Sequence, residues 1–151
     1  MEFTIRTAVI SDAPAVAEME AVCFSAPWSV AQIEDEIVKD NALFFVAECA
    51  GTVCGYVSAE DIFGECYMNN LAVSAEYRRR GIAASLLRTL IDASRSRGCA
   101  FLTLEVREGN APARHLYEAC GFSLAGLRKN FYDAPKENGC IYTLYFNEET
   151  L

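Results

Sequence analysis

Two segments of this 151-residue chain carry residue types that could move protons or hold anions. In the first, the period of two in an extended run puts Ala100, Leu102, Leu104 and Val106 on one face and Phe101, Thr103, Glu105 and Arg107 on the other. A carboxylate inside so apolar a run has two readings. It is either half of a solvated Glu–Arg pair on an edge strand, or a partly desolvated proton acceptor whose pKa burial raises while Arg107 pulls it down. The second segment, Leu71-Ala72-Val73-Ser74-Ala75-Glu76-Tyr77-Arg78-Arg79-Arg80-Gly81-Ile82-Ala83, reads as a strand, a basic turn and a helix N-terminus. Unpaired backbone N–H groups and the positive end of a helix dipole suit an anion, and Gly81 with the small Ala83 and Ala84 would let phosphates come close. The bland alternative is a solvated basic turn. The segment lacks the lysine and spacing of a Walker A loop and the G-x-G-x-x-G of a dinucleotide fold.

Both segments need elements to hold them, and the rest of the chain supplies an alternation of strands and helices. Residues 3–8 alternate as a strand, and Asp12 is placed to cap a helix carrying Val16, Met19 and Cys23. Phe24-Ser25-Ala26-Pro27-Trp28 breaks that pattern before Ser29 and Gln32 form a capping box for a second helix through Ile33 and Ile37. Residues 43–49 and 53–59 predict a hairpin around Ala50-Gly51-Thr52, followed by a strand over 66–73. After the basic turn, Leu86, Leu87, Leu90 and Ile91 make a helical stripe ended by Gly98. Beyond the strand over 100–106, Asn110 caps a short helix with Ala113, Leu116 and Cys120, stopped by Gly121, and residues 141–146 supply a last strand. The order β-α-α-β-β-β-α-β-α-β-β predicts an α/β fold with a mixed sheet covered by helices.

The length predicts one domain over 1–151, and 52% hydrophobic with 23% charged residues excludes a disordered, collagenous or coiled-coil chain. A net charge of −8 argues against a general nucleic-acid binder, which needs a basic face, and suits either solubility or steering of a basic protein or peptide. No stretch approaches the roughly 20 apolar residues of a membrane span, and the acidic start Met1-Glu2 is not a signal n-region, so a cytoplasmic protein is expected. Seven cysteines without a C-x-x-C pair read as reduced core thiols. With His115 as the sole histidine, and that off the apolar helix face, no metal is expected.

Arg78-x-x-Gly81-x-Ala83 after Asn70-Leu71-Ala72-Val73 resembles the acetyl-CoA loop, R/Q-x-x-G-x-G/A, of the GNAT N-acetyltransferases, and the element order matches that family over essentially the whole chain. Cys23-Phe24-Ser25-Ala26-Pro27-Trp28-Ser29, Leu104-Glu105-Val106-Arg107 and residues 110–122 further resemble its RimI group. Enzymes of that group acetylate the N-terminal alanine of small-subunit ribosomal protein number eighteen. The resemblance implies the acyl-CoA N-acyltransferase fold, acetyl-CoA as co-substrate, and a basic protein N-terminus, that of a ribosomal protein, as partner. It implies that the backbone of Leu71, Ala72 and Val73 meets the acetyl and pantetheine end. Arg79, Arg80, Gly81, Ile82, Ala83 and Ala84 would hold the pyrophosphate, and Asn110 the pantetheine region. Glu105 would be the general base, directly or through water, and Tyr117 the general acid; from the residues alone, Tyr117 reads equally as a core aromatic. The loop of Phe24, Pro27 and Trp28 would wall the substrate entrance, against the alternative of plain packing on the core. Arg107 and Tyr132 fall on the substrate side, where Arg128-Lys129-Asn130-Phe131-Tyr132 resembles the family's basic, double-aromatic segment. Phe131 there replaces a common tyrosine, and Asn138-Gly139-Cys140 departs from the usual acidic stretch. Rival readings are a relative acting on another N-terminus or a small amine, and a non-catalytic acyl-CoA-binding subunit, against which Glu105 and Tyr117 together argue.

Overall fold

A computed structural model describes residues 2–146. The strands are β1 (Thr4–Thr7), β2 (Ala42–Cys49), β3 (Thr52–Ile62), β4 (Glu65–Val73), β5 (Phe101–Arg107), β6 (Ser123–Tyr132) and β7 (Glu137–Tyr145). The helices are α1 (Ala13–Cys23), α2 (Val30–Ile37), α3 (Ile82–Ser96) and α4 (Ala111–Ala119). One seven-stranded sheet has the order β1-β2-β3-β4-β5-β7-β6, antiparallel everywhere except between β4 and β5. The expected α/β element order is the observed one.

Local sequence explains most of the boundaries. Ser29 Oγ accepts from the Gln32 N–H at 3.2 Å while Gln32 Oε1 accepts from the Ser29 N–H at 2.8 Å, so the capping box opens α2 as expected. The β2–β3 hairpin is tighter than the three-residue loop expected. Cys49 pairs with Thr52, and Ala50 and Gly51 both take positive φ, 51° and 82°, matching the twist of the strands. Asp12 precedes α1 but does not cap it with its side chain. Its carboxylate instead accepts from the Val9 N–H at 2.8 Å and from the two terminal Arg6 nitrogens at 2.8 and 2.9 Å, because a paired guanidinium is a stronger donor than one helix amide. The last strand starts at Glu137, earlier than expected, because it is held on both sides, by β5 up to Arg107 and by β6.

The helices divide the two faces of the sheet. Leu86, Leu87 and Leu90 of α3 are fully buried in one cluster with Leu43, Val57, Leu102 and Leu104. At Gly55, an added Cβ would lie 3.1 Å from the Ala72 carbonyl and 3.2 Å from Ile82 and Leu86, so this glycine lets the start of α3 press against β3 and β4. On the opposite face, Val16, Met19 and Ile33 pack on Phe44, Val46, Tyr56 and Ala72. There α1 and α2 contact β2, β3 and β4, whereas Phe101, Thr103 and Glu105 on the same face of β5 border a cavity.

Glu20 is fully buried within this second layer. Its carboxylate accepts from the Trp28 N–H at 2.9 Å, from Asn70 Nδ2 at 2.7 Å and from the Tyr56 hydroxyl. Burying a carboxylate is costly unless donors replace its water, and three donors do so here. Burial, together with the carboxylate, holds the Tyr56 phenol far above its ordinary pKa, so the phenol stays a donor. Glu20 thereby ties α1, the loop after it, β3 and β4 together. Glu20→Ala should lower the unfolding free energy by about 3 kcal/mol or more, since it leaves three buried donors without an acceptor. Urea melts read this directly, and a loss below about 1 kcal/mol would show that the network does not hold the layer.

Candidate active site

The site begins where two strands part. β4 and β5 are paired only at Glu65–Phe101, Cys66–Leu102 and Tyr67–Thr103. Beyond Tyr67 the strands diverge. A bulge starts the divergence: Ser58 of β3 faces Asn70 and Ala59 faces Met68, so Asn69 is an extra residue with no partner. The Ser74 N–H donates to the Cys54 carbonyl at 2.8 Å, and successive strand amides face opposite edges. Leu71 and Val73 therefore turn their backbone groups away from β3 and into the gap. The Val73 carbonyl is already engaged there by Arg78 Nε at 3.0 Å, which leaves the Leu71 and Val73 N–H groups directed at the opening.

A cavity of ≈ 710 Å³ occupies the gap and the open face of β5, bordered by Leu71, Glu105, Asn110, Tyr117, Arg128 and Tyr132 among others. Glu105 projects from the middle of β5, on the face that the period of two assigned to it. Burial raises its pKa above the ordinary carboxylate value, and one cation pulls the other way. That cation is Arg128 on β6, with Nε 3.3 Å from Glu105 Oε2, and not the expected Arg107. The alignment is too poor for a hydrogen bond, so Oε2 is buried without a hydrogen-bond donor. The Arg107 guanidinium is drawn away by three acceptors: the Asp133 and Pro135 carbonyls of the β6–β7 turn, each at 2.8 Å, and Glu137 at the start of β7 at 3.3 Å. It also lies over the Tyr132 ring at 4.6 Å, so Arg107 and Tyr132 border the cavity as a stacked pair.

Gly139 lies beneath Glu105, a use that no local pattern signals. It pairs with Arg107 on one side and Arg128 on the other. An added Cβ would meet Glu105 Oε2 at 3.3 Å and the Phe131 and Tyr132 rings at 3.2 and 3.3 Å, so only glycine leaves these three side chains where they stand. Tyr117 of α4 is buried between Phe122 and Tyr142, each ring centroid 6.0 Å away. Burial drives its pKa well above that of an ordinary phenol, so it keeps its proton. Among the described residues its hydroxyl has no hydrogen-bond partner. Asn110 borders the same cavity, and its Oδ1 caps α4 by accepting from the Ala113 N–H at 3.2 Å, as expected.

A second cavity of ≈ 280 Å³ adjoins the start of α3, bordered by Val73, Tyr77, Arg78, Arg79, Gly81, Ile82, Ala83, Ala84, Pro112 and Leu116. Gly81 is the residue before α3 and takes φ 81°, a conformation that a residue with a side chain reaches only with strain. Its carbonyl accepts the first helical bond from the Ser85 N–H, so the N–H groups of Ile82, Ala83 and Ala84 have no partner within the helix. Arg80 lies 5.5 Å over the Tyr77 ring. Leu71 borders the first cavity and Val73 the second, so one strand edge runs between them. A long thioester with a pyrophosphate at its far end fits this donor set: helix N–H groups and arginines at one end, strand amides at the other.

The loop after α1 is divided. Cys23, Phe24 and Trp28 all pack on the α1–α2 cluster, Cys23 and Phe24 also border the larger cavity, the Trp28 N–H is held by Glu20, and Pro27 is exposed. His115 is exposed, as expected. All seven cysteines are free thiols. Among the described residues there is no helix long and apolar enough to cross a membrane, and no cluster of His, Cys, Asp or Glu fit for a metal.

The parted parallel strands, the helix start beside them and the cavity that crosses the gap define an acyl-transferring class of protein. A family model for acetyltransferases matches residues 13–122, and the chain belongs to the acetyltransferase (GNAT) family. The ribosomal protein bS18-alanine N-acetyltransferase of Escherichia coli strain K12 is 34% identical over 143 residues, covering 93% of this chain and 96% of that protein. The crystal structure of the ribosomal-protein-S18-alanine N-acetyltransferase from Escherichia coli superposes with a TM-score of 0.88 at 32% identity, over 95% of this chain and 94% of that one. Arabidopsis thaliana NAA60 in complex with acetyl-CoA shares the fold at a TM-score of 0.87 and 18% identity, over 96% of this chain and all of that one (100%). The chain is thus an N-acetyltransferase with the expected acyl-CoA N-acyltransferase fold.

The electrostatics of Glu105 can be measured on the protein alone. Its carboxyl carbon resonance should titrate above the ordinary glutamate value of about 4.3. Arg128→Met keeps the burial and removes the opposing charge, so the midpoint should rise further. A midpoint that falls or stays would show that Arg128 does not act on Glu105.

Proposed function

We propose that this protein transfers the acetyl group of acetyl-CoA to the free N-terminal amine of a protein, with the N-terminal alanine of ribosomal protein bS18 as its natural acceptor. The observation that carries the reading is Glu105: a half-buried carboxylate whose Oε2 accepts no hydrogen bond, in a cavity that the protonated Tyr117 also borders. The named relatives support the choice of acceptor. When bound, acetyl-CoA supplies a thioester carbon open to attack.

The residues of this chain then have distinct tasks. The N–H groups at the start of α3, with Arg79 and Arg80, hold the pyrophosphate, and Gly81 keeps the approach to that backbone clear. Asn110 lies beside the pantetheine arm. The Leu71 and Val73 N–H groups hold the acetyl carbonyl oxygen, where charge develops during attack. An α-amine of pKa about 7.7–8.0 arrives mostly protonated at neutral pH, and Glu105 takes its proton, directly or through one water. The amine lone pair forms the C–N bond as the C–S bond breaks, and Tyr117 gives its proton to the departing sulfur; the second proton that the nitrogen sheds restores Tyr117 through solvent, and Glu105 releases the first to bulk water. Phe24 walls the acceptor's entrance together with the Arg107–Tyr132 pair. The net charge of −8 favours basic acceptor segments.

Release of CoA with a short peptide beginning Ala-Arg should be at least tenfold faster than with an N-terminally blocked peptide carrying lysine, whose amine, at pKa about 10.4, is harder to deprotonate. Equal rates would refute N-terminal selectivity. Glu105→Gln and Tyr117→Phe should each lower kcat by roughly 100-fold while leaving CoA affinity near wild type. Wild-type turnover in both variants across pH 6–9 would remove their proton-transfer roles.

A further inference from the structure

Among the described residues, three buried side-chain polar atoms have no hydrogen-bond partner: Ser58 Oγ, Asn69 Nδ2 and Glu105 Oε2. Two of these residues, Asn69 and Glu105, border the same cavity, while Ser58 does not. One atom is a donor and the other an acceptor. A buried donor left unpaired costs about 1–3 kcal/mol, so a chain that keeps one beside its reaction centre gains if a ligand atom completes it.

Asn69 is also placed by the fold in an unusual way. It is the unmatched residue of the β4 bulge, one step beyond Met68 and two beyond the last β4–β5 pair, Tyr67–Thr103. Bulges turn a side chain out of the ordinary alternation. The next residue, Asn70, shows the ordinary fate of an asparagine here, since its Nδ2 is consumed by Glu20 at 2.7 Å. Asparagine in irregular backbone commonly bonds to nearby main chain, yet Asn69 Nδ2 makes no such bond.

We propose that Asn69 is a specificity-determining residue whose side-chain amide donates to the first carbonyl oxygen of the acceptor peptide, the one that follows the amine facing Glu105. The proposal rests on the N-terminal reading above and extends it. It means that this enzyme reads the peptide bond beside the acceptor amine, which distinguishes an N-terminal residue from a lysine side chain or a simple amine. A hydroxyl, amide or ester carbonyl at the same distance from the amine would satisfy the donor, whereas a hydrocarbon there would strand it.

The test is a binding cycle on the CoA-saturated enzyme, read by calorimetry. The two ligands are an Ala-Arg-initiated peptide and its isostere with a trans alkene in place of the first peptide bond. Wild type should bind the parent about tenfold more tightly than the isostere, and Asn69→Leu, of similar volume, should weaken the parent about five- to tenfold and leave the isostere unchanged. Asn69→Asp, which turns an acceptor toward the carbonyl, should weaken the parent at least as much. Unchanged CoA affinity in both variants establishes that the cavity is intact. A parent-to-isostere ratio that Asn69→Leu leaves as in wild type would overturn the proposal alone, including the case in which Asn69 instead serves the thioester carbonyl. A wild-type enzyme that binds neither peptide would overturn the N-terminal reading and this inference with it.

Discussion

Beyond Tyr67 and Thr103, β4 and β5 cease to pair, although each stays paired on its other side, with Asn69 alone unmatched in β4. A sheet interior rarely gives up its ladder, because backbone amides without partners cost as much as lost hydrogen bonds. Here the gap exposes the Leu71 and Val73 amides to a cavity, and a bulge and a long crossover keep it open. The crossover is α3, whose start is pressed onto the sheet at Gly55 and whose free N–H groups border the adjoining cavity. One departure from regular pairing thus creates both the acyl end and the phosphate end of the site.

An opening of this kind has to be braced from the side, and the brace is polar. The buried Glu20 carboxylate holds Asn70, next to Leu71, as well as Tyr56 and the backbone before Ser29. An apolar contact would pack these elements equally well but would not fix their register, since burial is non-directional while hydrogen bonds are directional. The same layer ends at β4, which leaves the neighbouring face of β5 to Glu105.

The chemistry of Glu105 is a balance set by three strands. Burial on β5 raises its pKa, Arg128 on β6 lowers it, and Gly139 on β7 leaves room for the carboxylate and for the Phe131 and Tyr132 rings. Arg107, two residues from Glu105 in the chain and on the same face, acts on the β6–β7 turn instead. Sequence proximity suggested one cation, and the antiparallel register supplied another.

What the sequence determined by itself was whatever depends on neighbours along the chain. The Ser29–Gln32 box, the Asn110 cap, the β2–β3 hairpin if not the length of its turn, the α3 stripe and the alternation that isolates Glu105 from the core are all set within a few residues, where spacing dictates geometry. The basic turn into α3 was legible for the same reason, and with the family resemblance it gave the class of reaction. Glu20 left a faint signal, since it falls on the helical stripe of Val16, Met19 and Cys23 where an apolar residue belongs. Its three partners come from the following loop and two later strands, and spacing cannot supply those. Only the tertiary structure decided that Arg128 rather than Arg107 faces Glu105, that Phe24 but not Trp28 borders the cavity although both pack inward, that Gly139 is a floor, and that Asn69 is the unmatched residue of a bulge. Each of these is a matter of register between strands distant in sequence, and register is set by the summed packing of both faces of the sheet rather than by any local pattern.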